Sequence, residues 1–256
     1  MTSELSTSKD GFASAMVCGY RVVTQSYAEV RDQLIRRIQN GEGARMVTLN
    51  VEMVARAQRE ASYKEILNTA DIIVPDGMPV VWASRKRQPN KRKIQRITGV
   101  ELTQDLCLAI DGNKIGIVGG KDPMKALEMI GMDSREQVAI NNERLEATEA
   151  DYARVAEQMK GRTLIFLALG VPKQDLFAIE LRKRVPEATL IPNGGTFELL
   201  AGFLPRAPEW MQSAGLEWLF RLCVEPRRLW KRYLVEYWSG VTALIFDSFR
   251  SKSTNS

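Results

Sequence analysis

Histidine is absent from the 256-residue chain. Mechanisms that need an imidazole base are therefore closed to it, including the Ser-His-Asp and Cys-His types of nucleophilic catalysis. Cysteine is scarce: Cys18, Cys107 and Cys223 stand at wide spacings. An odd, scattered set argues against a disulfide framework and against a zinc site. No apolar run reaches the roughly 18 residues that a spanning helix requires. The longest late stretch, 237–246, is bracketed by Glu236 and Asp247. The N-terminus is polar, rich in Ser and Thr, and has no apolar segment of the kind a secretory signal carries. It reads as a disordered leader over 1–15, with a matching disordered tail over 251–256. Asp-x-Asp does not occur either. A divalent ion held by paired carboxylates is not expected, and neither is a cofactor, so any anionic leaving group has to be met by Arg, Lys and backbone N–H groups.

What is present is an ordinary globular composition, 45% hydrophobic and 26% charged. The net charge of +5 favours an anionic partner, whether nucleic acid, phosphate or an acidic membrane. Short apolar runs predict strands over 46–49, 71–74, 114–118, 164–169 and 190–191. Helical spacing falls between them, over 51–67, 79–85, 102–110, 124–130, 148–159 and 173–185. This alternation predicts an α/β fold: a Rossmann-like parallel-sheet core over 16–204, with helices on both faces. In such sheets ligands bind beyond the carboxyl ends of the strands. The run Leu204-Pro205-Arg206-Ala207-Pro208 marks a boundary. Four of the five tryptophans follow it, Trp210, Trp218, Trp230 and Trp238, among Arg206, Arg221, Arg227, Arg228, Lys231 and Arg232. Residues 205–250 are expected to form a helical appendage. Its last helix should begin near Pro226, with a stripe at Trp230, Tyr233, Tyr237, Val241, Leu244 and Ile245.

Several constellations could carry chemistry. Asp76 ends a strand in the turn Pro75-Asp76-Gly77. A carboxylate there is placed for general-base work, although an Asp suits a Pro-Asp-Gly turn without any such role. In Gly170-Val171-Pro172-Lys173-Gln174-Asp175 a glycine-bearing loop enters a helix, and its N–H groups with Lys173 could hold a phosphate. An ordinary strand-to-helix loop is the plainer alternative. Gly119 and Gly120 lack the dinucleotide fingerprint spacing. Asn193-Gly194-Gly195-Thr196 either lets backbone approach a ligand or makes a turn with positive φ. The basic run Arg85, Lys86, Arg87, Lys91, Arg92, Lys93 and Arg96 reads mostly as a solvated loop, with Arg96 its most ordered member. The Trp/Arg tail suits a lipid headgroup layer or a single nucleic-acid strand. Its aromatics could equally form the core of a packed helical pair.

Taken in order, these motifs resemble the WecG/TagA/CpsF glycosyltransferases, glycosyltransferase family 26. The residues that carry the resemblance begin with Thr48-Leu49-Asn50, Pro75-Asp76-Gly77, Arg96-Ile97-Thr98-Gly99 and Gly119-Gly120-Lys121. They continue through Gly170-Val171-Pro172-Lys173-Gln174, Asn193-Gly194-Gly195-Thr196-Phe197, Arg206-Ala207-Pro208-Glu209-Trp210, Gly215-Leu216-Glu217-Trp218 and Glu225-Pro226-Arg227-Arg228. The resemblance implies an inverting, metal-independent transfer of a hexose-type sugar (N-acetylmannosamine, its uronate or glucose). The donor would be a UDP-sugar and the acceptor a polyprenyl-diphosphate-linked sugar, in polysaccharide biosynthesis. It implies Asp76 as the base, with Thr48 and Asn50 near the reacting sugar. Arg96 and Gln174 would line the donor pocket. Arg221, Arg227 and Arg228 are candidates for the tail arginine that enters the site. It also implies a cytoplasmic protein, peripheral to the inner face of the cell membrane through its C-terminal appendage. No nucleic-acid partner is expected; self-association into a homo-oligomer is the remaining partner expectation. Two places depart from the family pattern: Glu198 stands where Asp is usual, and 141–149 lacks an aromatic stretch. The rival readings are a nucleic-acid-binding module and a non-catalytic scaffold of a polysaccharide assembly complex.

Overall fold

The structure, a computed structural model, describes residues 11–87, 94–213, 216–231 and 237–250. Its strands are β1 (Ser14–Val17), β2 (Tyr20–Val23), β3 (Ala44–Leu49), β4 (Ile72–Pro75), β5 (Ile115–Gly119), β6 (Ala139–Asn141), β7 (Leu164–Ala168) and β8 (Thr189–Pro192). They form one sheet in the order β1-β2-β4-β3-β8-β7-β5-β6. Every pairing is parallel except the β1–β2 hairpin. β3, β4, β5 and β8 are buried along their whole length, as expected for parallel strands covered on both faces. The five predicted strands are all present. The hairpin and β6 are additions; the hairpin turns at Cys18 and Gly19, both at positive φ.

The helices are α1 (Tyr27–Gln39), α2 (Val51–Arg59), α3 (Ala61–Asn68), α4 (Met78–Arg87), α5 (Gly99–Ala109), α6 (Pro123–Met129) and α7 (Glu149–Gln158). They continue with α8 (Lys173–Arg184), α9 (Thr196–Leu200), α10 (Glu209–Ser213), α11 (Glu217–Val224), α12 (Pro226–Lys231) and α13 (Trp238–Arg250). Local signals explain several starts. Ser26 and Glu29 form a capping box on α1, and Thr148 and Asp151 form one on α7. Thr98 caps α5, and Asp122 caps α6 just ahead of Pro123. The single helix expected over 51–67 is two. Glu60 leaves the helical region at φ −123°, ψ 103°, and the bend lets Val54, Tyr63 and Leu67 all reach one buried cluster.

Alternate strand residues serve opposite faces. Met46, Ile72, Val74 and Phe166 pack with Leu34 of α1, Leu102 and Leu106 of α5, and Phe197 of α9. Val47, Leu49 and Ile73 pack the other way, against Val54, Leu67 and Val80. Ile165 and Leu167 meet Val155 of α7 and Phe177 and Leu181 of α8 on that second face. After β4 the chain crosses to β5, at the far side of the sheet, and returns through β7 and β8 to lie beside β3. The crevice beyond the carboxyl ends of β3 and β8 is where such a crossover leaves room for a ligand.

The ends differ from expectation. Phe12 is 1% exposed and belongs to the core, and β1 starts at Ser14, so residues 12–15 of the predicted leader are part of the fold. Residues 1–10 of that leader and the predicted tail 251–256 lie outside the described residues. Arg85, Lys86 and Arg87 continue α4 instead of forming a loop, and Arg85 donates to the Ile94 carbonyl at 2.8 and 3.0 Å. Lys91, Arg92 and Lys93 lie outside the described residues.

Beyond residue 204, α12 and α13 are separate elements; Arg232 and Tyr233 fall in 232–236, outside the described residues. Leu229 and Leu244 are buried, whereas Trp230 and Ile245, expected on the same stripe, are exposed. α13 packs on α2 and α4. A Cβ on Gly240 would fall 2.4 Å from the Val51 carbonyl oxygen, so glycine is what permits this approach. The Tyr237 hydroxyl adds a 2.8 Å bond to the Glu52 carboxylate. No helix among the described residues is long and apolar enough to cross a membrane.

One polar cluster lies inside the second face. Arg45, 1% exposed, donates to Ile66 and Thr69, and its charge faces Asp175 and Asp71. Tyr63 donates to Asp175 Oδ2 at 3.3 Å. Desolvation pushes Asp175 up to about 6, against the pull of Arg45 and the Tyr63 hydroxyl.

Candidate active site

The candidate residues gather along one edge of the sheet, at the carboxyl ends of β4, β3, β8, β7 and β5, in that spatial order. Parallel strands with a common direction bring this about, because each loop the sequence singles out follows a strand.

Asp76 directly follows β4. Its N–H donates to the Leu49 carbonyl at 2.9 Å, which extends the β3–β4 ladder by one bond and fixes the residue at the sheet edge. The next bond outward runs from the Ile97 N–H to the Pro75 carbonyl, also 2.9 Å. That bond lays the segment before α5 beside the strand end and brings Arg96 to Asp76. Thr48 is buried one residue before the end of β3, in register with Val74. Asn50 caps α2, its side-chain oxygen accepting from the Met53 N–H at 3.1 Å. The cap occupies the oxygen and leaves the amide NH₂ to donate.

The Asp76 side chain is half-buried. Burial pushes its carboxyl up to about 7. The Arg96 guanidinium pulls the other way, as do Arg221 and the Gly77 N–H, while the Glu217 carboxylate adds to the rise. Two of these charges, Glu217 and Arg221, come from α11, far along the chain. Glu217 Oε2 receives Arg96 Nη1 at 2.7 Å. Among the described tail arginines, Arg221, itself exposed, is the one whose charge reaches Asp76. Arg227 is exposed on α12, and the Arg228 side chain lies outside what is described.

The glycine loops pack against one another. Gly119 and Gly120 have φ of +83° and +85°, and the Gly120 N–H donates to the Ala168 carbonyl. A Cβ on Gly119 would sit 2.7 Å from that carbonyl, so β5 and β7 can close together only with glycine here. Gly170 is exposed, at φ +74°. Gly194 donates its N–H to the Gln174 side-chain oxygen at 3.0 Å. The Asn193 amide donates to Thr103 at 3.3 Å, and Gly195 is exposed at the loop's tip.

Two expected pocket groups are placed differently. Gln174 is 3% exposed and works as a strut between the β7–α8 and β8–α9 loops, not as pocket lining. Lys173 donates to the Leu145 carbonyl at 2.5 Å, which ties down the 141–149 segment. Its ammonium is thus turned toward protein. Glu198, the departure from the family pattern, accepts from the Lys121 N–H at 3.2 Å and links the β5 loop to α9. Lys121 and Lys125 both stand over the Phe203 ring, at 4.3 and 4.4 Å from its centroid.

Glu217 is the site residue that sequence reasoning missed. A signal for it existed: Glu217 and Arg221 are four apart, which puts an acid and an arginine on the same face of a helix. A half-buried carboxyl near neutrality, two arginines and a row of glycine-bearing loops can accept a proton and neutralise a phosphate-bearing leaving group. The family model described as Glycosyl transferase WecG/TagA/CpsF family matches residues 15–254, and the chain belongs to that family.

Proposed function

From membership of a glycosyltransferase family we propose that this protein moves a hexose-type sugar from a UDP donor to a polyprenyl-diphosphate-linked sugar, with inversion and without a metal ion. The observation that carries the reading is Asp76. It is a carboxyl held near 7 at the end of a central strand, faced by Arg96 and Arg221. A group poised near the working pH has a substantial ionised fraction and still takes up a proton readily.

In the proposed step Asp76 takes the proton of the acceptor hydroxyl as that oxygen bonds to the anomeric carbon. The bond from this carbon to the diphosphate oxygen breaks on the opposite face, and UDP leaves with the electron pair. Arg96 and Arg221 meet the charge that develops on the diphosphate. Backbone N–H groups of the loops at Gly119-Gly120, Gly170 and Gly194-Gly195 assist. Thr48 and Asn50 contact the reacting sugar. Gln174 and Lys173 act at one remove, by holding those loops. Arg227 and Arg228 add positive charge to the tail. Trp210, Trp230 and Trp238 are 66%, 53% and 66% exposed. Aromatic rings beside arginines suit a headgroup layer, which supports a peripheral position on the cytoplasmic face of the membrane, where a lipid-linked acceptor is met.

The test is a panel of UDP-sugars with a synthetic prenyl-diphosphate-linked sugar presented in anionic vesicles. One donor should add a single glycosyl unit to the acceptor by mass, with inverted anomeric configuration and no loss of rate in EDTA. The same vesicles, floated on a gradient, should carry the enzyme with them. No mass gain with any donor, or a product of retained configuration, would overturn the reading.

A further inference from the structure

The tail does more at this site than supply an arginine. Glu217 and Arg96 are 121 residues apart in sequence, yet their side chains meet at 2.7 Å. The pair is sheltered, the Arg96 side chain being 14% exposed and that of Glu217 34%. Arg96 sits on a segment locked to β4 by the Ile97 N–H to Pro75 bond. An ion pair to it therefore fixes α11 relative to the strand end that bears Asp76. Arg221 lies one turn further along the same helix face.

We propose that Glu217 is a positioning residue of this site. Its carboxylate grips the Arg96 guanidinium, holds α11 beside the strand end that bears Asp76, and makes this helix an element that sets the field there. The inference rests on the reading of Asp76 as the base. It goes beyond that reading in giving an acid of the tail a defined task.

Among the described residues, the groups facing Asp76 are Arg96 from the segment before α5, Glu217 and Arg221 from α11, and the Gly77 N–H from its own loop. α11 thus presents two charges of opposite sign to one carboxyl. Glu217 raises its proton affinity and Arg221 lowers it. Glu217 acts in the same direction through Arg96: while the guanidinium is shared with Glu217, less of its charge is available to Asp76. When a diphosphate binds, Arg96 gains a second anion without having to be drawn out of water, because Glu217 already holds it in place.

The experiment is the pH dependence of kcat/KM for the full chain with Glu217→Gln and Arg221→Gln, each checked for native folding by circular dichroism. Gln can still accept a hydrogen bond from Arg96, so the helix stays docked while its negative charge is gone. The expected result is a shift of the acid limb in opposite directions: down by about one unit in Glu217→Gln and up in Arg221→Gln. Glu217→Asp, which keeps the charge, should leave the limb near its wild-type position even if its rate falls. A limb unmoved in Glu217→Gln, or moved the same way by both glutamines, would overturn the proposal and leave α11 as packing only. Should Asp76→Asn keep the wild-type rate, the assignment of the base fails first, and the two failures are told apart.

Discussion

Asp76 and Asp175 make an instructive pair. Each sits near the start of a helix after a parallel strand. Each is pushed up by burial, to about 7 and about 6, and each is faced by arginines. Their surroundings differ. Asp175 is wholly buried beneath α3, held by the Tyr63 hydroxyl and facing Arg45, itself 1% exposed. Asp76 is half-buried at the sheet edge, where Arg96, Glu217 and Arg221 face it. A raised carboxyl is thus not in itself a mark of chemistry. What separates a catalytic candidate from a structural one is a position at the sheet edge that a substrate can reach, with cations already held beside it.

The comparison can be broken most forcefully by replacing each acid in turn. Asp76→Asn should lower kcat by about 10²–10⁴, the usual worth of a positioned base. Its melting temperature at pH 8 should be unchanged or higher, since a disfavoured buried charge is gone. Asp175→Asn should do the reverse, leaving the rate near wild type and changing stability. Loss of turnover in both variants would erase the distinction.

A smaller effect sharpens it. Asp175 has an ordinary value of 3.8 and a folded value of about 6. Because the folded value is the higher one, its contribution to stability is complete below the unfolded value and is lost as pH rises toward 6. Relative to Asp175→Asn, the wild type should lose on the order of 3 kcal/mol between about pH 4 and pH 6 and then level off. Urea titrations of both proteins across that range measure it. A stability gap that stays constant with pH would show that Asp175 ionises in the fold as it does in the unfolded chain.

The sequence was most readable where one cause dominated. Continuous apolar runs ending in glycine or proline located β3, β4, β5, β7 and β8, because strands covered on both faces admit little else. Asp76 was legible for the same reason, as an acid in the turn that ends such a run. The β1–β2 hairpin was not, since its strands are four residues each and its turn, Cys18-Gly19, is not among the common turn pairs. The break at Glu60 carries no glycine or proline, and beyond it Tyr63 meets Asp175. Long-range polar contacts were the least legible. Nothing local to Gln174 says that its oxygen meets an N–H twenty residues on, and nothing near Arg96 announces Glu217. Exposure in the tail misled for a related reason. The stripe at 230–245 has helical period, but two separate helices bury Leu229 and Leu244 and turn Trp230 and Ile245 outward.

The claim on which the rest depends is that turnover requires the ionised form of Asp76, and the pH profile of kcat/KM in the wild-type enzyme tests it most directly. The account predicts a plateau on the alkaline side and a tenfold fall per unit of pH below about 7. A profile that runs flat down to pH 5 would contradict it.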